Sequence, residues 1–309
     1  MARRSPLLPT WLYGKRLRWR GRDEWGTLEV VDGVLGLELH FGSKALQGRI
    51  NLDQPWRPLA EYTVSMAALA ALPEPQRRQR DETLPDQPTI CLLGLGTGSL
   101  AWTYHRLIPH AHLTAIELRP AVIEVGVELF GLSKLEALKM IRGDALDEVT
   151  RLAERSQTLI SIDLFTDEGM APCLKSSVFW QQVARILHPC GSIAVNVWSG
   201  DQEAFKEILT LIKTYICPEG DILMIDHELF GNYIILASPR SLKQESSLAR
   251  ARKIDDRLNS SPPPLASRLC WRVNSTQKWA RASYEAGLSG ESIQSRLKRA
   301  WMSKHEDLL

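Results

Sequence analysis

The chain has 309 residues, with 38 Lys+Arg against 36 Asp+Glu for a net charge of +2, and 44% hydrophobic residues. That balance excludes a disordered chain, and no apolar run approaches the ~20 residues of a membrane-spanning helix. The five cysteines (Cys91, Cys173, Cys190, Cys217 and Cys270) are odd in number and lack any C-x-x-C pair, so they are expected as free thiols in a reducing cytoplasm, not as a disulfide frame or zinc site.

The charge is unevenly spread. Residues 1–22 hold seven Lys+Arg and no acid, residues 239–309 carry a net +7, and residues 23–238 a net −12. An acidic body favours a cationic substrate over nucleic acid; a solvated acidic surface with basic tails also accounts for it.

In chain order, residues 1–23 read as a basic arm. Arg3 and Arg4 are not followed by a continuous apolar stretch, which argues against a signal peptide. Residues 24–52 alternate in short apolar runs, TLEVV, VLGLELHF and KALQGRINL, broken at Asp32-Gly33 and Gly42-Ser43. Asp-Gly between alternating runs is a hairpin signal, so a small antiparallel unit is expected. Residues 58–72 open on Pro58 and are rich in Ala, Leu and Met, predicting a helix into the main domain. Residues 24–72 are thus a small β-domain plus connecting helix, and the polar, proline-bounded 73–88 a linker.

From 89 to 238 strand-like and helix-like segments alternate, the pattern of a parallel sheet with crossover helices. The first strand, Thr89–Gly94, runs into Gly94, Gly96 and Gly98 and a helix near 98–108. Glycines at a strand end permit a sharp turn and close approach of a ligand. Position 99 is Ser99, where a dinucleotide fold wants its third glycine. The next strand, 112–118, ends near Glu117, and Pro120 opens its helix. A glycine loop plus an acid one strand later points to a nucleoside held by its ribose hydroxyls. Strands follow near 138–142, at Thr158–Asp163 and at Ser192–Trp198, with helices near 145–154 and 177–187, the latter stopped by HPCG at 188–191. After a helix over 202–216, the runs 221–226 and 232–237 are too close for a crossover and must pair antiparallel. His105, His110 and His112 are expected on the surface, and no metal cluster is expected. Residues 239–309, interrupted by SSPPP, read as a basic accessory or disordered tail; a basic helix docking a partner or nucleic acid is the alternative.

The segments LQGRINL, EYTVSM, LLGLGTGSLAW, TAIELRPAVIEV, RGDA, IDLFTDEG and VNVWS together resemble the spermidine synthases, most closely the bacterial spermidine-synthase-like proteins, over roughly residues 27–238. The resemblance implies an α/β fold: a Rossmann-like class I methyltransferase sheet with an antiparallel terminal hairpin, preceded by a small N-terminal β-hairpin domain that closes over the nucleotide. It implies S-adenosylmethionine or decarboxylated S-adenosylmethionine as donor, no metal, a cationic amine acceptor and a homodimer.

Site roles follow from the same resemblance. Gly94, Gly96 and Gly98 turn against the donor's aliphatic arm and ribose, and Glu117 accepts from both ribose hydroxyls; otherwise Glu117 is a surface glutamate. Asp144, with Ala145 after it, accepts from the adenine amino group, or instead caps the helix it opens. Gln47 reaches the donor from the β-domain or is a plain strand residue. Asp163 matches the aspartate that deprotonates the attacking amine. Tyr62, Asp167 and Trp198 are candidates for acceptor binding. Asp167 and Glu168 also fit a solvated loop, and Trp198 also fits the core.

Three departures bear on the acceptor and donor. Thr97 stands where spermidine synthases carry an aspartate for the amine of a decarboxylated donor, so ordinary S-adenosylmethionine becomes admissible. The second acid after the fourth strand, Asp167, comes one place late, and the diamine-binding Tyr-x-Glu is absent around Tyr62. The expected activity is transfer of an alkyl group, aminopropyl by resemblance, from a sulfonium to a nucleophile. A methyltransferase on another acceptor is the alternative, and a non-catalytic nucleoside-binding protein a further one.

Overall fold

The structure is a computed structural model describing residues 15–42, 46–71, 87–166, 169–219, 221–227 and 231–240. Asp167, Glu168, most of the linker, and all but the first two residues of the C-terminal tail lie outside the described residues.

Leu17–Asp23 (β1), Gly26–Asp32 (β2), Leu37–His40 (β3) and Leu46–Ile50 (β4) form a four-stranded antiparallel sheet in sequential order. The hairpin at Asp32-Gly33 is as expected, Gly33 N–H donating to Gly36 C=O at 2.8 Å. The sheet starts earlier than position 24, inside the stretch read as an arm. The reason is alternation: Trp19 packs on the core, while Arg18 and Arg20 pair across to Asp32 (3.7 Å) and Glu29 (3.3 Å) on the neighbouring strand. The connecting helix is short, Glu61–Ala67 (α1), followed by a 3-10 turn at Ala68–Ala71.

The main domain alternates as the sequence implies: Thr89–Leu93 (β5), Ser99–Leu107 (α2), His112–Glu117 (β6), Pro120–Glu128 (α3), Leu138–Arg142 (β7), Ala145–Arg151 (α4) and Gln157–Ile162 (β8). A two-stranded hairpin, Phe165–Thr166 (β9) and Gly169–Met170 (β10), then precedes Ser177–Ile186 (α5) and Leu187–Trp198 (β11). The chain closes on Gln202–Tyr215 (α6), Asp221–His227 (β12) and Asn232–Ser238 (β13). The strands form one seven-stranded sheet in the order β12-β13-β11-β8-β5-β6-β7. Strands β11, β8, β5, β6 and β7 pair parallel, and β13 runs antiparallel to both neighbours. The expected terminal hairpin is therefore present. HPCG does stop α5, but it lies within β11, where the pairing with β8 slips between Leu187 and Ser192. Proline removes a ladder donor, so a register shift is where a strand tolerates it.

Strand β8 is buried at all six positions, the continuous apolar character of a strand covered on both faces. Helices α1, α2 and α3 pack one face together with the inner side of the N-terminal sheet; α4, α5 and α6 pack the other. Local chemistry sets the helix starts: Pro120 at the first turn of α3, and Asp144, Ser176 and Asp201 side chains capping α4, α5 and α6. Among the described residues no helix is long and apolar enough to cross a membrane, no metal-binding group occurs, and Cys91, Cys173, Cys190 and Cys217 are free thiols.

Candidate active site

The chain runs from β5 outward to β6 and β7, then returns to β8 on the other side of β5. Ligands in open α/β sheets bind at such a reversal, beyond the carboxyl ends of the strands. The loop Gly94–Gly98 occupies that position, and its glycines do three different jobs. Gly94 (φ +93°) is approached so closely by the main-chain carbonyl of Asp163 that a Cβ there would lie 2.2 Å from the oxygen. Gly98 (φ +73°) leads into α2 without a capping side chain, and a Cβ on it would strike Leu132. Gly96 (φ +53°) faces open space, with no atom of the described residues within 4 Å of a Cβ position. Its left-handed backbone is one that glycine adopts readily.

Glu117 at the end of β6 holds this loop from one side. Its Oε2 accepts from Leu95 N–H at 3.0 Å and its Oε1 from Arg119 N–H at 2.9 Å. Burial pushes its carboxyl above the usual glutamate range, and these backbone donors pull it back. The loop thereby fixes the side chain and leaves further lone pairs for a ligand. Glu117 is therefore no free surface glutamate.

Asp163 follows β8 on the other side, its N–H bonded to Leu93 C=O at 2.8 Å. Its Oδ1 accepts from Asn196 Nδ2 at 2.9 Å, and Tyr62 of α1 donates its hydroxyl to the same carboxylate. Asn196 in turn accepts from Asn232 Nδ2 at 2.9 Å. Burial raises the Asp163 carboxyl above the ordinary aspartate range, while the amide and phenol donors oppose that rise. Burial beside this carboxylate raises the Tyr62 phenol, so it stays protonated and serves as a donor.

The N-terminal sheet reaches the same loop. A Cβ on Gly48 would lie 2.9 Å from Thr97 Cγ2, so β4 lies against the loop. His40 pairs with Leu46 and Leu39 with Gly48, which makes Gln47 the extra residue of a β-bulge beside the site. Arg119 clamps the two units. Its guanidinium binds Asp23 at 2.7 and 3.1 Å and Gly26 C=O at 3.1 Å, and lies over the Phe41 ring.

The remaining candidates separate. Asp144 caps α4, its Oδ1 accepting from Leu146 N–H at 2.8 Å; the neighbouring Gly143 N–H bonds Glu117 C=O, keeping Asp144 and the buried Ala145 beside the β6 end. Trp198 is 47% exposed, so the core reading fails for it. It is the last residue of β11, beyond the sheet's cover, and its N–H contacts Met170 Sδ of the β9–β10 hairpin at 3.3 Å. Residues missed from sequence are Asn196, Asn232 and Arg119. A lone Asn within the buried run SIAVNVW is a legible signal for the first; nothing comparable marks the other two.

A scan of protein-family models finds no match to the chain. Among curated proteins it is 27% identical over 224 residues, 72% of its own length and 80% of the relative's, to a polyamine aminopropyltransferase of Neisseria meningitidis. It is 29% identical over 180 residues to the Bos taurus eEF1A lysine and N-terminal methyltransferase, spanning only 25% of that protein. Among solved structures, a probable spermidine synthase from Corynebacterium glutamicum superposes with a TM-score of 0.62 at 18% identity, covering 79% of this chain and 88% of that one. Human Methyltransferase-like protein 13, solved in complex with SAH, gives a TM-score of 0.56 at 22% identity, over 68% of this chain and 98% of that one. In sequence the chain is similar to polyamine aminopropyltransferases, and its fold is the class I fold that spermidine synthases and methyltransferases share.

Proposed function

We propose that this transferase binds an adenosyl sulfonium and passes its aminopropyl group to an amine by in-line displacement, with Asp163 as base. The observation that carries the reading is that Glu117, accepting from Leu95 N–H, and Asp163, whose main-chain carbonyl abuts Gly94, meet one glycine loop from the strands on either side of β5. Ribose on Glu117 and adenine near Asp144 and Ala145 leave the sulfonium end of the donor on the Asp163 side. Gln47 and the rest of β4 cover the donor from above.

The chemistry asks little of the protein beyond placement. The amine lone pair forms the new C–N bond, the C–S bond breaks with its electrons to sulfur, and a neutral thioether leaves without acid catalysis. The amine's proton passes to Asp163. Holding nucleophile and carbon in line supplies most of the rate, and a carboxylate with raised proton affinity is a better acceptor at neutral pH. Among the described residues no Arg or Lys forms a salt bridge with Asp163, whose side-chain donors are the neutral Tyr62 and Asn196. A part-buried carboxylate held, among the described residues, by neutral donors is suited to cationic ligands, here the sulfonium and a protonated amine. Tyr62, Asp167 and Trp198 would bound the acceptor.

Methyl transfer is the second reading, favoured by Thr97: without an acid in the loop, a donor keeping its own carboxylate meets less repulsion. Calorimetric titration with S-adenosylmethionine and with its decarboxylated form separates the two. Tighter binding of the decarboxylated donor supports aminopropyl transfer, the reverse order supports methyl transfer, and no binding of either sinks both.

A further inference from the structure

An ionised carboxylate only accepts hydrogen bonds. Asp163 therefore dictates which end of the Asn196 amide faces it: the NH2 group, at 2.9 Å from Oδ1. The Asn196 oxygen must then point away, and it meets Asn232 Nδ2 at 2.9 Å. Asn232 in turn has to present its own NH2. The polarity of both amides follows from the acceptor-only end of the chain, independently of how their atoms are assigned. The strands explain the reach. Asn196 of β11 stands opposite Ile234, and Asn232 of β13 opposite Trp198, so the two asparagines are diagonal neighbours across an antiparallel pair. Asn196 is only 2% exposed, within an otherwise apolar run. A polar side chain buried there needs a purpose to offset its desolvation.

We propose that Asn232 and Asn196 form an amide relay of fixed polarity that positions Asp163: Asn232 locks the Asn196 amide, and Asn196 holds the carboxylate ionised and turned toward the acceptor. Both are positioning residues. Among the described residues, the groups facing the Asp163 carboxylate are Tyr62 from α1 and Asn196 from β11, while the glycine loop after β5 abuts its main chain, so the relay is one of two described side-chain donors on the base. The proposal rests on the transferase reading for its purpose, but not for its test.

A relay of fixed polarity behaves differently from a polar filler. Asn232→Asp keeps the shape and reverses the polarity. An acceptor then faces the Asn196 oxygen, the Asn196 amide rotates, and its oxygen confronts Asp163, which takes up a proton to answer it. Asn232→Ala merely frees the amide, and Asn196→Ala removes the donor.

The test uses the full chain labelled with carboxyl-13C aspartate, the Asp163 signal being assigned by its loss in Asp163→Asn. Titration followed by NMR should show the proton affinity of Asp163 raised about tenfold or more in Asn232→Asp and Asn196→Ala, and less in Asn232→Ala. With decarboxylated S-adenosylmethionine and putrescine as probes, the acid limb of the kcat/KM profile should move to higher pH by the same amount. An Asp163 titration in Asn232→Asp indistinguishable from wild type overturns the relay. Should that variant fail to fold, unshifted Asn232→Ala and Asn196→Ala overturn it equally. Donor binding is read separately by calorimetry: a wild-type chain that binds neither donor removes the transferase reading, while the NMR titration still decides the relay.

Discussion

Placing a methyl group on Gly96 and on Gly94 should separate donor binding from folding. At Gly96 a Cβ meets no atom of the described residues within 4 Å, and φ +53° lies in the left-handed region. Gly96→Ala therefore costs only the backbone preference, ~1–2 kcal/mol. For a domain of roughly 150 residues that lowers the melting temperature by about 2–8 °C. At Gly94 the same preference applies at φ +93°, and the methyl would sit 2.2 Å from the Asp163 main-chain oxygen. That oxygen cannot retreat cheaply, because Asp163 N–H is bonded to Leu93 C=O. Strain and strand separation together bring the cost of Gly94→Ala to at least ~3 kcal/mol, about 6 °C or more. Donor affinity should follow the opposite order relative to stability. The Gly96 methyl enters the space assigned to the donor and should weaken calorimetric binding of S-adenosylmethionine or its decarboxylated form by about 100-fold, some 2.7 kcal/mol. Differential scanning calorimetry and titration calorimetry on the two variants read both effects. Gly96→Ala binding donor within about threefold of wild type would refute a donor over the loop. Equal melting of the two variants would refute the steric account of Gly94.

Asp163→Asn should keep donor affinity and lower turnover by ~10²–10⁴ in a transfer assay. The same variant tests linkage. Burial raises the folded-state proton affinity of Asp163 above its ordinary value of 3.8, so this carboxyl favours folding below that pH and loses the contribution as pH rises through the raised value. Asp163→Asn should accordingly melt higher than wild type at pH 7, with the gain closing as the pH of the calorimetric scan falls toward 3.8. Asp23→Ala strands the Arg119 guanidinium, whose side chain is 7% exposed, and should cost ~3–5 kcal/mol in urea denaturation. Glu117→Gln, which can accept the loop and ribose bonds with one oxygen instead of two, should weaken donor binding about 10-fold or more by calorimetry.

Much of the main sheet was legible because its signals are local. The period of strand and helix, Pro120 at a first turn, and a terminal pair too close for a crossover each force one outcome. The glycine loop and Glu117 were legible for the same reason, since a turn and the end of the next strand lie near each other in sequence. What the sequence hid was set by tertiary pairing. Strand β1 exists because Arg18 and Arg20 find Asp32 and Glu29 on the adjacent strand, which a basic run alone does not announce. Asn196 and Asn232 come together only through the β11–β13 register. Asp144 illustrates a different obstacle: one carboxylate suits a helix start and a base edge alike, and the cap is what the backbone of α4 makes visible.

Arg119 contributes its amide to Glu117 and its guanidinium to Asp23, so the acid holding the glycine loop and the docked antiparallel sheet share one residue. Thermodynamic reciprocity then applies. Whatever factor sheet docking adds to nucleoside affinity, nucleoside occupancy must return to sheet docking. The small sheet should consequently show its slowest amide exchange when a donor is bound, and a weakened Arg119 contact should appear as looser protection in β1 and β2 as well as poorer binding.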